Sequence, residues 1–520
     1  MVISFPFTGS LTPLVFVSWV PLLFVEDFIS TSKKKSIVVF LYAFLTFFTY
    51  NIGTTWWVCN ASINGGVAAI IANTLLMSIT FQTFHFAKKY IGRKQGYLSL
   101  LFLWIGFEYL HFNWDISWPW LTLGNVFSVR TSWIQWYELT GVHGGSLWIL
   151  VVNVLFFRCI QHYFLNNRKL LPLTKQFLVV GFILFFPIVS SFFLRFSSGP
   201  SGSDGKDYKV VIVQPNIDPY NEKFALNSSV ESQLEKYFKL AEEKYSRDVD
   251  LLLGPETAIS SGFRELNIKK EPFYKYLDKK SEKWKNTDFL LGASTFELFK
   301  NKKSNASFAL PNGGFYENYN TSMLLSSDKK IEFIHKSKLV PGAEIIPFSS
   351  YLPFLESLAL SNGGTSGTLG VENEPKILKT QKALLAPVIC YESIYGEFTA
   401  TQARKGAELI CILTNDGWWG DTPGYKQHFS FARLRAIETR RWVVRSANTG
   451  TSGIIDEFGN VVSQTQYWKP AVLSATVPLL KSQTIFSQLG DYLGRSFSFV
   501  AVLIILFSIS KKFKGKLSKS

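Results

Sequence analysis

The chain has 520 residues, of which 47% are hydrophobic and 16% aromatic, and its formal net charge is +16. This length exceeds one ordinary domain, so we expect two or more folded units. The four cysteines and six histidines show neither a disulfide framework nor metal-ligand spacing, which argues against both kinds of site. A basic chain can bind nucleic acid, but these lysines cluster beside apolar segments, where membrane topology explains them better. We therefore predict no nucleic-acid partner and no metal.

Long apolar runs occupy the first 196 residues and recur near the C-terminus. A membrane-spanning helix needs about 20 mostly apolar residues. The candidate spans are residues 11–30, 36–58, 65–87, 97–114, 144–161, 176–195 and 492–510. We predict an N-terminal transmembrane helix bundle over residues 1–196 and a C-terminal transmembrane helix over 490–511, followed by a basic tail, 511–520.

Basic residues predict the orientation of this bundle, because Lys and Arg accumulate on the cytoplasmic side of membrane helices. Basic clusters follow the first, third and fifth spans and the last helix. They are Lys33–Lys35, Lys88–Lys89 with Arg93–Lys94, Arg158 with Arg168–Lys169, and "KKFKGKLSKS" at the end. If all of them are cytoplasmic, the soluble part of the chain lies on the outer side.

The segment 114–143 falls on that same outer side and carries five tryptophans interleaved with Gly and Pro. Tryptophan is enriched at membrane interfaces, so an aromatic belt is one interpretation. A re-entrant wall that guides a lipid toward the soluble domain is the other. The Gly/Ser-rich residues 197–206 are typical of a flexible linker and predict a domain boundary.

Residues 207–485 have the pattern of a soluble α/β domain. Short apolar runs alternate with helical patterns, as in "YKVVIVQPNI", "DLLLGPETAI", "ALLAPVICYES" and "ELICILTNDGWWG". Several apolar strands that end in polar residues are typical of an α/β sandwich with its site at the strand ends.

Three of these strand ends carry ionisable residues of complementary type: Glu256, Lys336 and Cys390. A carboxylate can accept a thiol proton, a thiolate can attack a carbonyl, and an ammonium can stabilise the resulting oxyanion. Each residue also has an ordinary alternative, as a helix cap, a solvated lysine or a core cysteine. Spacing alone does not show that the three side chains meet.

The motifs around these residues, "GPET", "KSKLVPGAE" and "VICYES", resemble those of the nitrilase (carbon–nitrogen hydrolase) superfamily. Together with the helix bundle and the C-terminal helix, the chain resembles the apolipoprotein N-acyltransferase family. The resemblance extends to "QPNI", "YNTS", "TNDGWWG", "QHFSFARLRAIE" and "RSANTGTSG". It implies an αββα nitrilase-like sandwich. The family usually has eight spans and seven are found here, so we expect the first to be short or missing.

The resemblance implies that Glu256 is the general base, Lys336 the oxyanion stabiliser and Cys390 the acylated nucleophile. Lys336 is preferred to Lys338 because the family's lysine stands three places before its Leu-Val-Pro sequence. Supporting roles are implied for four further residues: Glu344, Tyr391 through its backbone N–H, Glu392 and Asn320.

The implied reaction moves an acyl chain from a membrane phospholipid, through a Cys390 thioester, to the N-terminal amine of a diacylated apolipoprotein. It needs no cofactor and takes place at the bacterial inner membrane, with the catalytic domain on the periplasmic side. One alternative is a membrane-anchored amidase or nitrilase. Another is a transporter or binding scaffold, which would tolerate the loss of Cys390.

The arginines of the helical pattern 424–442 also have two interpretations. They could bind phospholipid headgroups, or they could pair with acidic residues such as Glu438 inside the fold. We favour pairing and assign no substrate role to Arg433, Arg435, Arg440 or Arg441.

Overall fold

A computed structural model describes residues 1–32, 34–165, 174–197, 206–224, 229–348 and 368–517. The chain divides into two compact units. One comprises Met1–Cys59, Ile63–Ser197 and Asp491–Ser520, and the other comprises Asn60–Ser62 and Ser198–Gly490. Most of the predicted linker 197–206 lies outside the described residues, as do Lys33, Arg168 and Lys169 of the basic clusters.

The first unit is helical. Long apolar segments form helices because a helix satisfies the backbone hydrogen bonds within one segment. Its helices are α1 (Val20–Thr31), α2 (Ile37–Thr55), α3 (Val58–Ala61, at the unit boundary), α4 (Ile63–Ile91), α5 (Arg93–His111), α6 (Tyr137–Leu165), α7 (Thr174–Ser197) and α13 (Tyr492–Leu517). Short 3-10 helices cover Val2–Ser4 and Thr12–Val17.

Six helical segments among the described residues are long and apolar enough to cross a membrane. They are Thr12–Thr31, Ile37–Thr55, Ile63–Ile91, Tyr137–Phe164, Thr174–Phe196 and Tyr492–Lys514. The predicted span 97–114 lies mostly in helix α5, which is not among them, because polar residues such as Lys94, Gln95 and Glu108 lower the hydropathy of this helix.

The tryptophan-rich segment 114–143 folds into three 3-10 helices followed by the start of α6. These are Pro119–Leu121, Leu123–Val129 and Thr131–Trp133. Trp120 is 1% exposed and stacks on Trp118, with ring centroids 5.8 Å apart. Phe127 stacks in the same way on Trp148 of α6, at 5.0 Å. Trp120 therefore packs inside the helical unit, and a role in guiding lipid stays a prediction.

The described residues of the second unit form two β-sheets. The first sheet has eight strands: β1 (Lys206–Gln214), β2 (Leu251–Leu253), β3 (Ile259–Arg264), β4 (Asp288–Phe299), β5 (Phe308–Ala309), β6 (Phe315–Leu325), β7 (Ile331–His335) and β14 (Ala471–Leu479). The second sheet has six: β8 (Leu378–Lys379), β9 (Leu384–Ile389), β10 (Leu409–Thr414), β11 (Trp442–Ala447), β12 (Gly453–Ile455) and β13 (Val461–Gln464).

Successive side chains of a strand point to opposite faces of the sheet. The apolar side chains on the two faces therefore form two separate cores in this unit. Val210 and Ile212 of β1 lie in a buried cluster with Leu385, Leu409 and other residues of the second sheet. Val211 and Val213 face the other way, into a cluster with residues of the covering helices. The two sheets therefore pack face to face, with apolar side chains between them.

Helices cover the outer faces of this sandwich. Helices α8 (Val230–Glu242) and α9 (Pro272–Lys283) pack on the first sheet. Helices α10 (Gly396–Arg404) and α11 (Pro423–Thr439) pack on the second, and a short helix α12 (Ile485–Leu489) contacts both of them. The layers follow the order αββα. A helical bundle combined with an α/β sandwich confirms the predicted fold class.

Candidate active site

The carboxylate of Glu256 lies just beyond the carboxyl end of β2. The Gly254 N–H donates to Leu290 O at 2.9 Å, and the Gly292 N–H donates to Pro255 O at 3.0 Å. These bonds draw the chain against β4 so closely that a Cβ at Gly292 would lie 2.6 Å from the Glu256 Cα. Only glycine fits at that position, and Glu256 is held at the sheet edge with 6% exposure.

The ammonium of Lys336, directly after β7, lies between two carboxylates. Lys336 Nζ is 3.2 Å from Glu256 Oε1 and 2.8 Å from Glu344 Oε1. The Asn320 amide of β6 donates to both of these oxygens, at 2.7 and 3.1 Å. Lys336 is 1% exposed, so it is not a solvated surface lysine. Lys338 points elsewhere, with its Nζ 5.2 Å from the centre of the Tyr395 ring.

Cys390 follows β9 and begins a 3-10 helix, Cys390–Ile394. Its φ is 50°, in the left-handed region that non-glycine residues rarely adopt. Residues held in such conformations cluster at functional sites. Cys390 is 9% exposed, whereas Cys411 in the middle of β10 is completely buried. The second sheet thus supplies the thiol, and the first sheet supplies Glu256 and Lys336.

Family models match both parts of the chain. The model described as "Carbon-nitrogen hydrolase" matches residues 209–485, more than half of the chain. The chain belongs to the carbon–nitrogen hydrolase family. A second model, described as "Apolipoprotein N-acyltransferase N-terminal domain", matches residues 1–155.

Curated relatives match over nearly the whole length of this family member. The apolipoprotein N-acyltransferase of Chlorobaculum tepidum is 29% identical over 98% of this chain and 95% of its own. That of Geobacter metallireducens is also 29% identical, over 94% and 90%. The solved structure of Saccharomyces cerevisiae Nit3, of the nitrilase superfamily, is 18% identical over 55% of this chain and 95% of its own, with a TM-score of 0.37. The predicted resemblance is confirmed, and with it the acyltransferase and membrane character.

The charges of this site act on the protonation of the thiol and the lysine. Burial raises the pKa of the Cys390 thiol, the charge of Glu256 raises it further, and Lys336 opposes both effects only in part. Burial alone would lower the pKa of Lys336, but the charges of Glu344 and Glu256 outweigh it and raise the pKa above its ordinary value. Both shifts favour the neutral form of the thiol and the charged form of the lysine.

Glu392 connects the cysteine loop to the lysine loop. Its carboxylate accepts backbone N–H groups from Ile389 at 2.7 Å and from Ser337 at 2.5 Å. Burial raises the pKa of Glu392 to about 7, and these hydrogen bonds oppose the rise. Because Ile389 precedes Cys390 and Ser337 follows Lys336, this one carboxylate fixes the spacing between the two loops.

Arg435 of α11 pairs with an acidic residue inside the fold, as predicted, and the other three arginines donate to backbone carbonyls of the same domain. Arg435 pairs with Glu438 at 2.9 Å, and both side chains are completely buried. Arg433 donates to Gly459 O at 2.7 Å, and Arg441 donates to Ala407 O at 2.7 Å. Arg440 donates to Glu457 O at 3.2 Å. These contacts within the domain account for the positions of the four arginine side chains.

Sequence reasoning gave no role to Lys223, which lies behind Glu256. Lys223 ends a single π-helical turn, Pro219–Lys223, and is 2% exposed. Its Nζ donates to the backbone carbonyl of Glu256 at 2.7 Å. Burial lowers the pKa of Lys223 to about 7, although the charge of Glu256 opposes the shift. The only signal in the sequence was a lysine six residues after "QPNI", which is not distinctive.

His428 and Asp416 were also missed, although the motifs that contain them were noted. His428 Nδ1 lies 2.8 Å from Asp416 Oδ1, and its Nε2 lies 3.2 Å from the carbonyl oxygen of Cys390. A single histidine in a helix is more often a core residue than a functional one, so spacing gave no reason to select it. Among the described residues, no group of three or more His, Cys, Asp or Glu side chains could hold a metal ion.

Proposed function

We propose that this protein transfers an acyl chain from a membrane phospholipid to the N-terminal amine of a diacylated apolipoprotein, through a thioester on Cys390. The observation that carries the proposal is the contact of Lys336 with Glu256 on one sheet, together with Cys390 at the end of β9, where the charges of both residues act on its thiol. The matched N-acyltransferase domain in the same chain supports the acceptor class. A carboxylate, an ammonium and a thiol at one place supply a base, a cation and a nucleophile.

In the first half-reaction, Glu256 accepts the proton of the Cys390 thiol as Sγ attacks the ester carbonyl of the phospholipid. A base is needed, because burial keeps the thiol protonated. The Lys336 ammonium and the Tyr391 backbone N–H stabilise the oxyanion. The intermediate collapses as the C–O bond breaks, and Glu256 returns the proton to the departing alkoxide. A lysophospholipid leaves, and the acyl chain remains on Sγ.

In the second half-reaction, the α-amine of the acceptor attacks the thioester carbonyl. Glu256 accepts a proton from the attacking nitrogen and delivers it to Sγ as the C–S bond breaks. The products are an N-acylated lipoprotein and the free thiol. The two half-reactions together form a ping-pong cycle without a cofactor, because the phospholipid ester already carries the acyl group.

The supporting residues have roles that follow from their contacts. Glu344 and Asn320 hold the Lys336–Glu256 pair in place. Glu392 holds the Cys390 loop against the Lys336 loop. The positive-inside pattern supports an inner-membrane protein with its α/β unit on the periplasmic side, where lipid donor and lipoprotein acceptor would both be available.

Intact-mass measurement tests the acylation step directly. Purified protein in detergent with phospholipid should gain the mass of one acyl chain, released by neutral hydroxylamine and absent in Cys390→Ser. Addition of a diacylated lipopeptide should then discharge the enzyme and give an N-acylated peptide. An adduct that releases only free fatty acid would indicate a hydrolase, and no adduct at all would refute the thioester.

A further inference from the structure

The backbone carbonyl of Cys390 points into a fully buried group of polar side chains. Ser393 Oγ donates to this carbonyl oxygen at 2.7 Å, and His428 Nε2 lies 3.2 Å from the same oxygen. Ser393 Oγ and His428 Nε2 are themselves 2.9 Å apart. Both side chains are 0% exposed. The nucleophile's own peptide group is thus fixed by two side chains that substrate does not reach.

A charged pair behind His428 fixes the orientation of its ring. His428 Nδ1 is 2.8 Å from Asp416 Oδ1, and Arg445 Nη2 donates to Asp416 Oδ2 at 2.6 Å. Burial alone would raise the pKa of Asp416, but Arg445 and His428 outweigh it and lower the pKa to about 2. Asp416 is therefore ionised throughout the physiological range and faces Nδ1, while Nε2 faces the Cys390 carbonyl. Both partners are acceptors, so donation to both requires the doubly protonated ring.

This carbonyl belongs to the same peptide group as the N–H of Tyr391. A trans peptide is planar, and its C=O and N–H point in opposite directions. Any contact that fixes the direction of the Cys390 carbonyl therefore fixes the direction of the Tyr391 N–H. Cys390 itself has an unfavourable φ of 50°, so the orientation of this peptide depends on the groups that surround it.

We propose that His428, together with Ser393 and Asp416, positions the Cys390–Tyr391 peptide so that the Tyr391 N–H points at the developing oxyanion. The inference rests on the proposed function, in which that N–H is an oxyanion donor. His428 and Ser393 are positioning residues, because they act through the peptide and do not touch the substrate. They prepare the oxyanion site before any substrate binds.

Ser393, His428 and Asp416 contact one another in a row, an arrangement that resembles the triad of serine hydrolases. Ser393 cannot act as a second nucleophile in this structure, because it is 0% exposed and its hydroxyl is directed at the Cys390 carbonyl. Here the three residues position the backbone of a different nucleophile, Cys390.

Two reactions of the Cys390 thiol distinguish an effect on oxyanion stabilisation from an effect on the reactivity of the thiol itself. Acylation by a p-nitrophenyl ester forms the Sγ–C bond through a tetrahedral oxyanion and releases p-nitrophenolate as the C–O bond breaks. Alkylation by iodoacetamide displaces iodide in one step and forms no oxyanion. The acylation burst and the pH profile of alkylation, followed at the Cys390 peptide by mass spectrometry, should therefore respond differently.

We expect Ser393→Ala and His428→Leu to lower the acylation burst rate by about 10- to 100-fold, somewhat less than the loss of a complete oxyanion donor. Alkylation should stay within about threefold of the wild type at each pH. His428→Gln keeps a side-chain N–H donor and should recover part of the acylation rate. Thr399→Val is the matched control, since it removes an equally buried hydroxyl that donates to Gly396 O at 3.0 Å.

A parallel fall of acylation and alkylation would overturn the inference, because it would mean that the thiol itself is displaced. Unchanged acylation in Ser393→Ala would overturn it too, and so would equal losses in His428→Gln and His428→Leu. If His428→Leu does not fold, Ser393→Ala and His428→Gln answer the same comparison. A wild type without any burst would refute the proposed thioester chemistry and this inference together, whereas a normal burst that the variants leave intact refutes only the inference.

Discussion

The ammonium of Lys336 lies closer to Glu344 than to Glu256, at 2.8 Å against 3.2 Å. Two carboxylates therefore share one cation in a site from which water is largely excluded. Glu344 takes the shorter contact, so the positive charge of Lys336 is divided between two carboxylates. In the proposed reaction, Glu256 would accept the thiol proton beside an ammonium that Glu344 also holds.

Replacing Glu344 tests this division of charge. In Glu344→Gln the ammonium of Lys336 would turn fully toward Glu256 and weaken it as a base. We expect thioester formation to slow by about 10- to 100-fold, within the range that general-base catalysis contributes. The rate of mass gain with phospholipid measures the effect. Glu317→Gln is a control in β6 of the first sheet, since Glu317 is 1% exposed and bonded to Ser304 and Ser307. An equal loss there would contradict the prediction.

Glu256→Gln tests the base itself. The amide keeps the size of the side chain but cannot accept the thiol proton, so acylation should fall by about 10²- to 10⁴-fold. Alkylation of Cys390 at neutral pH should slow as well, since the buried thiol has lost the group that deprotonates it. A variant that still acylates at the wild-type rate would remove Glu256 from the proposed role.

Lys223 gives a prediction about pH and stability. Burial lowers its pKa from 10.5 in the unfolded chain to about 7 in the fold. Between these values the unfolded state binds more protons than the native state, so the free energy of unfolding should rise with pH by up to about 1.4 kcal/mol per unit. Below pH 7 both states hold the proton, and this slope disappears.

Lys223→Met isolates that contribution, because methionine has an unbranched side chain of similar length but no group that titrates. The difference in unfolding free energy between wild type and variant should grow in favour of the wild type from pH 7 to pH 9. Denaturant unfolding in detergent, at several pH values, measures it. A difference that stays constant with pH would show that Lys223 does not titrate in this window.

The buried pair of Arg435 and Glu438 predicts a large effect on stability. Glu438→Gln removes the negative charge opposite a completely buried guanidinium, and the expected loss is about 3–5 kcal/mol of unfolding free energy. Glu242→Gln is the matched control, since Glu242 pairs with Lys280 and Lys283 near the surface. That change should cost less than about 1 kcal/mol. Similar losses in both variants would contradict the prediction.

Much of the fold could be predicted from the sequence. Apolar runs of about 20 residues marked the helical part, because a helix satisfies its backbone within one segment. The strands before Glu256 and Cys390 could also be predicted, because alternating and continuously apolar patterns are properties of neighbouring residues. Helix α5 was the exception among the spans. Its polar residues include Glu108, which is 4% exposed and buried among other helices, so the span could not be judged by composition alone.

The candidate site was predictable as a set of residue types but not as a geometry. Glu256 and Lys336 are 80 residues apart in the chain, and no local pattern fixes their 3.2 Å contact. The choice of Lys336 over Lys338 came from a resemblance, whereas in the fold it follows from burial: one lysine lies between carboxylates and the other lies over a tyrosine ring.

The sequence by itself determined the two kinds of folded unit, the family and the residues around which a site would form, since hydropathy, periodicity and motifs are properties of neighbouring residues. Only the tertiary structure placed Lys223 behind Glu256 and His428 behind Cys390. Those contacts join segments that are distant in the chain, and a buried lysine or histidine has no distinctive local pattern. Their positions are decided by packing between sheets and helices.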